Sequence, residues 1–320
     1  MATITKTIGT TGRDYTTVAL WEADLSDGAI YTAGDTAVGE CYADSTFGGS
    51  WTIDNTGFAF GLTDVVLKAA DAEKHDGTPD SGVKFSYSGT IYNETAFYSV
   101  AYDPVTYGTY KVKIQDIEFA DVASASVAHL TPFVFLDDSC VMSRCLINNF
   151  VQNAGASSML TVVGGTSSHP EERIIINNTM IFNCGKSGTS GSSNGYVKGL
   201  SFQDSTLANS DNNTIYNIYD NTTSAAAWGI LKGISRNTIS IVGGDCFKVP
   251  STGSNSNNLS GDASAPGGSA VTSVSASNVF ISTTQGSENL HLKYGSAAEE
   301  LGLDLGVLYD VELDIDGQSR

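Results

Sequence analysis

Two adjacent carboxylates, Asp137 and Asp138, directly follow the apolar run Phe133-Val134-Phe135-Leu136. Paired carboxylates are what glycosidic hydrolysis needs: one protonates the leaving oxygen and the other activates water. An inverting pair stands about 6.5–9.5 Å apart. Neighbours in a strand point to opposite faces, so these two can act together only where the chain turns. A solvated turn is the plainer reading of the same residues. No Gly-His-Gly or nearby Arg-x-Lys accompanies them.

A second constellation is aromatic. Tyr87, Tyr92, Tyr98, Tyr102, Tyr107 and Tyr110 crowd into residues 87–110. Tyrosine rings stack on pyranose faces and are enriched at protein interfaces, so Tyr92, Tyr98, Tyr102 and Tyr107 are the candidate glycan or subunit contacts. Packing over a sheet flank accounts for them equally well.

Other residue types carry less. His75 and His169 sit in polar loops and read as surface residues, and neither His129 nor His291 joins a Ser/His/Asp order. Lys84, Lys111 and Lys113 read as exposed strand residues with apolar stems. Asp-Gly turns at 76–80 (DGTPD) and 314–317 (DIDG) lack the full oxygen spacing of an EF-hand. No cofactor is expected, and a structural calcium ion is the one exception these acidic loops leave open. Cys41, Cys140, Cys145, Cys184 and Cys246 form no C-x-x-C pair, and no His lies at zinc-ligand spacing. They read as small buried hydrophobes in a reducing compartment.

The whole chain bounds these readings. In 320 residues, Lys and Arg number 16 against 35 Asp and Glu, a net charge of −19. So acidic a chain is a poor nucleic-acid binder. No stretch approaches the length of an apolar membrane span, and the opening residues lack a signal peptide's apolar core. Short β-branched or aromatic runs bounded by Gly, Asn, Ser and Asp dominate. Examples are 65–67, 83–85, 112–114, 133–136, 174–176, 239–241 and 279–281. The spacing of Val18, Trp21 and Leu25 predicts a helix over 15–25, capped by Thr16 or Thr17. A second helix is predicted over 296–301.

A loose repeat chooses among the all-β architectures. IINNTMIFNC (175–184), SDNNTIYNIY (210–219), ISRNTISIVG (234–243) and SASNVFISTT (275–284) align on Asn178, Asn213, Asn237 and Asn278, with Asn258 between the last two. QDIEF (115–119) and SRCLINNF (143–150) look like earlier copies. Coils of about 20–35 residues that bury an apolar face only by stacking are the mark of a solenoid. Asn side chains stacked at its turns would form an amide ladder. The Ser/Gly/Asn-rich stretch 251–269 resembles a linker, but repeats flank it, so it reads as a loop or loose rung.

The two ends carry a resemblance. GTTGRDYTTVALWEADL (9–25) resembles the N-terminal capping region of right-handed parallel β-helix proteins of the pectin-lyase-like superfamily. The tail 295–320 is similar to that group's closing segment, through Gly295, Ser296, Ala298, Asp304, Gly306, Asp314, Asp316, Gly317 and Arg320. The resemblance implies an all-β fold: a single right-handed parallel β-helix with a short N-terminal capping helix. Its expected division is a cap at 1–30, the β-helix at 31–285 and a C-terminal capping segment at 286–320, in one continuous domain.

For function the resemblance implies a lyase, a glycoside hydrolase or a catalytically silent structural β-helix. The family's lyases pair calcium with a cationic base, for which Lys111, Lys113 and Arg144 are candidates here. Its hydrolases carry an adjacent Asp pair, which makes Asp137 and Asp138 the catalytic residues if the protein is an enzyme. The first expectation is a non-catalytic virion structural protein of a tailed phage, a capsid decoration or small tail or fibre subunit. It would be homotrimeric, would assemble with other virion proteins and would meet host-surface polysaccharide, without nucleic acid or membrane insertion. A polysaccharide-degrading enzyme and a glycan-binding module are the alternatives.

Overall fold

A computed structural model describes residues 1–44, 46–53, 61–87, 97–99, 111–124, 133–136, 139–152, 160–165, 174–187, 196–202, 208–221, 226–248, 254–303 and 305. Three parallel sheets run along one axis, and the chain visits them in turn. Sheet A stacks eight strands from Thr3–Ile8 and Thr36–Cys41 through Asp64–Ala69, Lys111–Gln115, Cys140–Ser143, Ile174–Asn177 and Ala208–Asp211 to Ile234–Arg236. Sheet B runs from Phe47–Gly48 to Leu259–Ser260, and sheet C from Trp51–Ile53 to Asp245–Lys248. Parallel crossovers within a sheet take the right-handed sense, so the molecule is a right-handed parallel β-helix.

In-register stacking brings like residues into columns. Inside sheet B one column reads Phe47, Phe85, Phe119, Ile147, Ile181, Ile215, Ser240 and Ser260. Its aromatic end packs ring on ring, with Phe47 and Phe85 stacked at 4.7 Å. The matching column of sheet A ends in Ser210 and Ser235 after Leu67, Ile114, Met142 and Ile176. The core thus passes from rings through branched aliphatics to hydroxyls as the coils shorten. Those hydroxyls are satisfied internally: Ser240 donates to the Cys246 carbonyl at 2.9 Å and Ser260 to that of Asp262 at 2.7 Å. All five cysteines are free and buried in these coils. Burial pushes the Cys145 and Cys184 thiols up to about 12, which makes them inert packing groups.

The N-terminal end is closed by a helix over Val18–Asp24, shorter than the expected 15–25. Thr17 caps it, its side chain accepting from the Leu20 N–H at 3.2 Å. Val18, Trp21 and Leu25 are buried against the first coils. Gly39 makes room for the indole, since a Cβ there would lie 2.9 Å from Trp21. The Trp21 Nε1–H donates to the Tyr31 hydroxyl at 3.1 Å.

The turn from sheet A to sheet B holds an amide ladder in a register one step from the expected one. The left-handed residues are Asp116, Arg144, Asn178, Asn212, Asn237 and Asn257. Asn212, not Asn213, stacks with Asn178 and Asn237, and Asn237 donates to the Asn212 amide oxygen at 2.8 Å. Asn213 and Asn258 form an inner row one residue later. Asn213 accepts from the Thr179 N–H and donates to the Ile176 carbonyl. Asn258 accepts from the Thr238 N–H and donates to the Ser235 carbonyl. The doublets Asn177-Asn178 and Asn212-Asn213 straddle different positions, which is why the repeat aligned off by one. Asn278 lies outside the ladder, in a short helix over Ala276–Val279.

A second ladder, unforeseen in the sequence, interrupts sheet B at Asp121, Asn149, Asn183 and Asn217, all at positive φ. Asn149 donates to Asp121 at 3.2 Å and Asn217 to Asn183 at 2.8 Å. Of the stretch 251–269, residues 254–269 form short end coils, bridged at Ser256 and Leu259, and 251–253 lie outside the described residues.

The chain then folds back along sheet B. Phe280–Ser282 and Asn289–Leu292 form an antiparallel hairpin, so the 279–281 run is not a rung. Val279, Phe280 and Leu290 pack on Leu146, Met180, Phe182, Ile239 and Leu259. Glu288 accepts from Asn183 at 2.7 Å, which ties the hairpin to the second ladder. Residues 296–301 are turns rather than the expected helix: their Glu299-Glu300 end has Glu300 at φ +61, which no helix continues through.

Candidate functional site

The residues singled out in the sequence part company in the structure. Asp137 and Asp138 lie outside the described residues, as do Tyr92, Tyr102, Tyr107 and DIDG 314–317. Tyr98 is placed only by its backbone, in the sheet C strand Phe97–Ser99. DGTPD 76–80 is an Asx turn in which the Asp76 carboxylate accepts from the Thr78 N–H at 3.1 Å. Among the described residues no group of three His, Cys, Asp or Glu could hold a metal ion. His75 is buried rather than on the surface: its Nε2 is 2.9 Å from the Arg144 carbonyl, and its Nδ1 accepts from the Gly77 N–H. That pairing clips the 70–83 loop to the A–B turn.

Two of the three candidate bases, Lys113 and Arg144, are occupied, and the Lys111 side chain lies outside what is described. Arg144 makes a bidentate pair with Asp116, at 2.7 and 3.0 Å. Lys113 reaches Asp64, and Lys84 lies between Asp80 and Asp121. Along the same corner Glu40, Lys68, Asp71, Lys74 and Asp116 form a chain of ion pairs. Glu118, buried beside Lys84, accepts from Asn148 at 2.8 Å and from the Asp80 N–H. Burial pushes its carboxyl up, while those hydrogen bonds and Lys84 act the other way. On sheet B, Lys186 and Asp220 stack in register with Gln152, with 3.9 Å between ammonium and carboxylate. These arrangements hold coils together.

Sheet C departs from this pattern. The strands Tyr196–Phe202, Ala226–Leu231 and Asp245–Lys248 lie side by side. Register puts Thr161, Lys198, Trp228 and Asp245 in one row across them. The Tyr196 ring stacks on Trp228, 4.4 Å between centroids and 19° between planes. The Lys248 ammonium sits 4.1 Å from the Trp228 centroid and that of Lys198 5.9 Å. Trp228 is only 8% exposed, whereas Tyr196 is 36% exposed. The indole is thus a rigid backing, and the phenol ring is the surface open to a ligand. The indole N–H of Trp228 finds no acceptor among the described residues.

Neither Lys198 nor Lys248 has a carboxylate within ion-pair distance among the described residues, although acidic residues outnumber basic ones 35 to 16. Lys198 is 8% exposed. Burial, and then the charge of Lys232, hold its ammonium below the usual lysine range. The signal for this site was present in the sequence as aromatic and lysine residues on alternate positions, Tyr196-x-Lys198, beside Gly199 and Trp228-Gly229. Nothing in the sequence placed Trp228 between Tyr196 and Lys248, because coil lengths set that register.

No family model and no curated protein matches the chain. A solved structure that it resembles is a mannuronic acid specific polysaccharide family 6 lyase from the human gut microbiota. The identity is 11% and the TM-score 0.29. The match covers 85% of this chain and spans 59% of the length of that one.

Proposed function

We propose that this protein is a non-catalytic β-helix that binds polysaccharide on the outer face of sheet C. The open Tyr196 ring, backed by a Trp228 indole that two lysines also face, carries this reading. A pyranose face stacks on such a ring, and flanking cations bond its hydroxyl or acidic oxygens. Parallel coils hold the platform rigid, so little entropy is lost when an extended chain docks. Asp245 is the lone carboxylate in the row across the patch, which supplies no acid–base pair for hydrolysis.

The test is retention on a panel of immobilised polysaccharides, with a parallel assay for new reducing ends and unsaturated products. Tyr196→Ala should weaken retention at least tenfold and leave the thermal transition in place. Polymer cleavage would overturn the non-catalytic reading, and Asp137→Asn would then show whether the adjacent Asp pair does the work.

The virion structural role is a second reading, favoured by the outer side of the C-terminal hairpin. Ile281, Leu292 and Tyr294 are exposed there on a strongly acidic chain, and assembly commonly covers apolar groups of this kind. Light scattering behind a sizing column would separate a trimer from the 33.5 kDa monomer. A clean monomer would count against that role.

A further inference from the structure

We infer that the sheet C patch takes a negatively charged polysaccharide, one ring face on Tyr196 and the carboxylates or sulfates along the chain drawn to Lys198 and Lys248. This inference rests on the polysaccharide-binding reading and adds the ligand's charge. Buried cations in proteins are paired, because an uncompensated charge in a poorly solvated site is costly. Elsewhere in the described chain that rule holds, with Arg144 on Asp116, Arg236 on Asp211 and Lys186 beside Asp220.

Lys198 breaks it. More than nine-tenths of the residue is buried, its described neighbours offer no carboxylate, and Lys232 adds a second positive charge. The indole face compensates only in part, since a cation at 5.9 Å lies at the outer limit of useful ring attraction. Lys248, itself exposed, holds a further ammonium against the Trp228 ring. Asp245, the carboxylate that shares the row of Lys198 and Trp228 among the described residues, is exposed and pairs with neither lysine. An anion docking here would supply the missing counter-charge. At a net charge of −19 the rest of the surface repels polyanions, so the patch would also set where they land.

The experiment uses the full chain and matched polymers: neutral dextran, galactan and xylan, each beside its carboxymethylated and sulfated forms. Affinity is measured at about 0.05 M and 0.15 M salt, a range over which surface charge attraction weakens. The expected result is at least tenfold tighter binding of the charged member of a pair. Preference for the carboxymethylated over the sulfated form would identify a carboxylate ligand, and the reverse a sulfate. Lys198→Met and Lys248→Met together should abolish that preference with an unchanged thermal transition, and Lys198→Arg should retain it. Equal binding of neutral and charged forms would overturn the inference and leave polysaccharide binding standing. Failure of every polymer to bind, with the fold intact, would overturn both.

Discussion

At the scale of single residues, the A–B turn separates two kinds of asparagine that the sequence makes look alike. Asn212 occupies a left-handed position and its amide lies in the outer row. Asn213 is buried and satisfies three groups: the Thr179 N–H, the Ile176 carbonyl and the Ser210 hydroxyl. Removing a partner from buried donors and acceptors costs about 1–3 kcal/mol for each group left unmet, whereas glycine suits positive φ. Asn213→Ala should therefore lose about 3 kcal/mol in chemical denaturation and Asn212→Gly at most about 1 kcal/mol. Equal losses would mean that the register of this turn is wrong.

At the scale of elements, the capping helix is fitted to the first coils by one void. The Trp21 indole fills the space left by the missing side chain of Gly39, where a Cβ would also come within 3.0 Å of Ile8. Overpacking such a site typically costs about 1–3 kcal/mol, and truncating a buried Trp about 3–5 kcal/mol. Gly39→Ala and Trp21→Leu should each lower the unfolding free energy. Because the added methyl occupies space that the smaller side chain vacates, the double variant should lose less than the sum of the two. Simple additivity in the double-mutant cycle would show that the helix does not seat against Gly39. The helix itself was legible from Val18, Trp21 and Leu25. Its start at Val18 was not, because Thr16 and Thr17 are both competent caps and only the turn geometry chooses Thr17.

At the scale of the molecule, charge opposes the fold that stacking builds. A net charge of −19 repels itself. Raising salt from about 0.01 M to about 0.15 M shortens the screening length from about 30 Å to about 8 Å. The melting temperature at neutral pH should rise by several degrees across that range. Acid should act in the other direction at the low end. Hydrogen bonds from the Thr32 hydroxyl and the Ala2 N–H to Asp35, and from Thr78 to Asp76, hold those carboxyls below the usual range. A depressed folded value gives stability that is present above the unfolded pKa of about 3.9 and is lost as pH falls through the folded value. Thermal melts should accordingly weaken below about pH 4. A melting temperature indifferent to salt would show that the exposed carboxylates are neutralised locally.

The sequence by itself determined that this chain is all-β, that it coils as a parallel solenoid with Asn at its turns, and that a Trp-bearing helix closes one end. Those features are local or periodic: turn chemistry, β-branched runs and a helical stripe can be read without knowing what stacks on what. Tertiary structure alone decided the rest. Coils of unequal length set the register, and register chose Asn212 over Asn213 for the outer ladder. It also raised the second ladder through Asn149, Asn183 and Asn217, and folded the 280–292 hairpin along sheet B instead of adding a rung. The candidate site follows from the same cause. Tyr196, Trp228 and Lys248 are separated by 32 and 20 positions in the chain and meet only because three consecutive coils place them on one face.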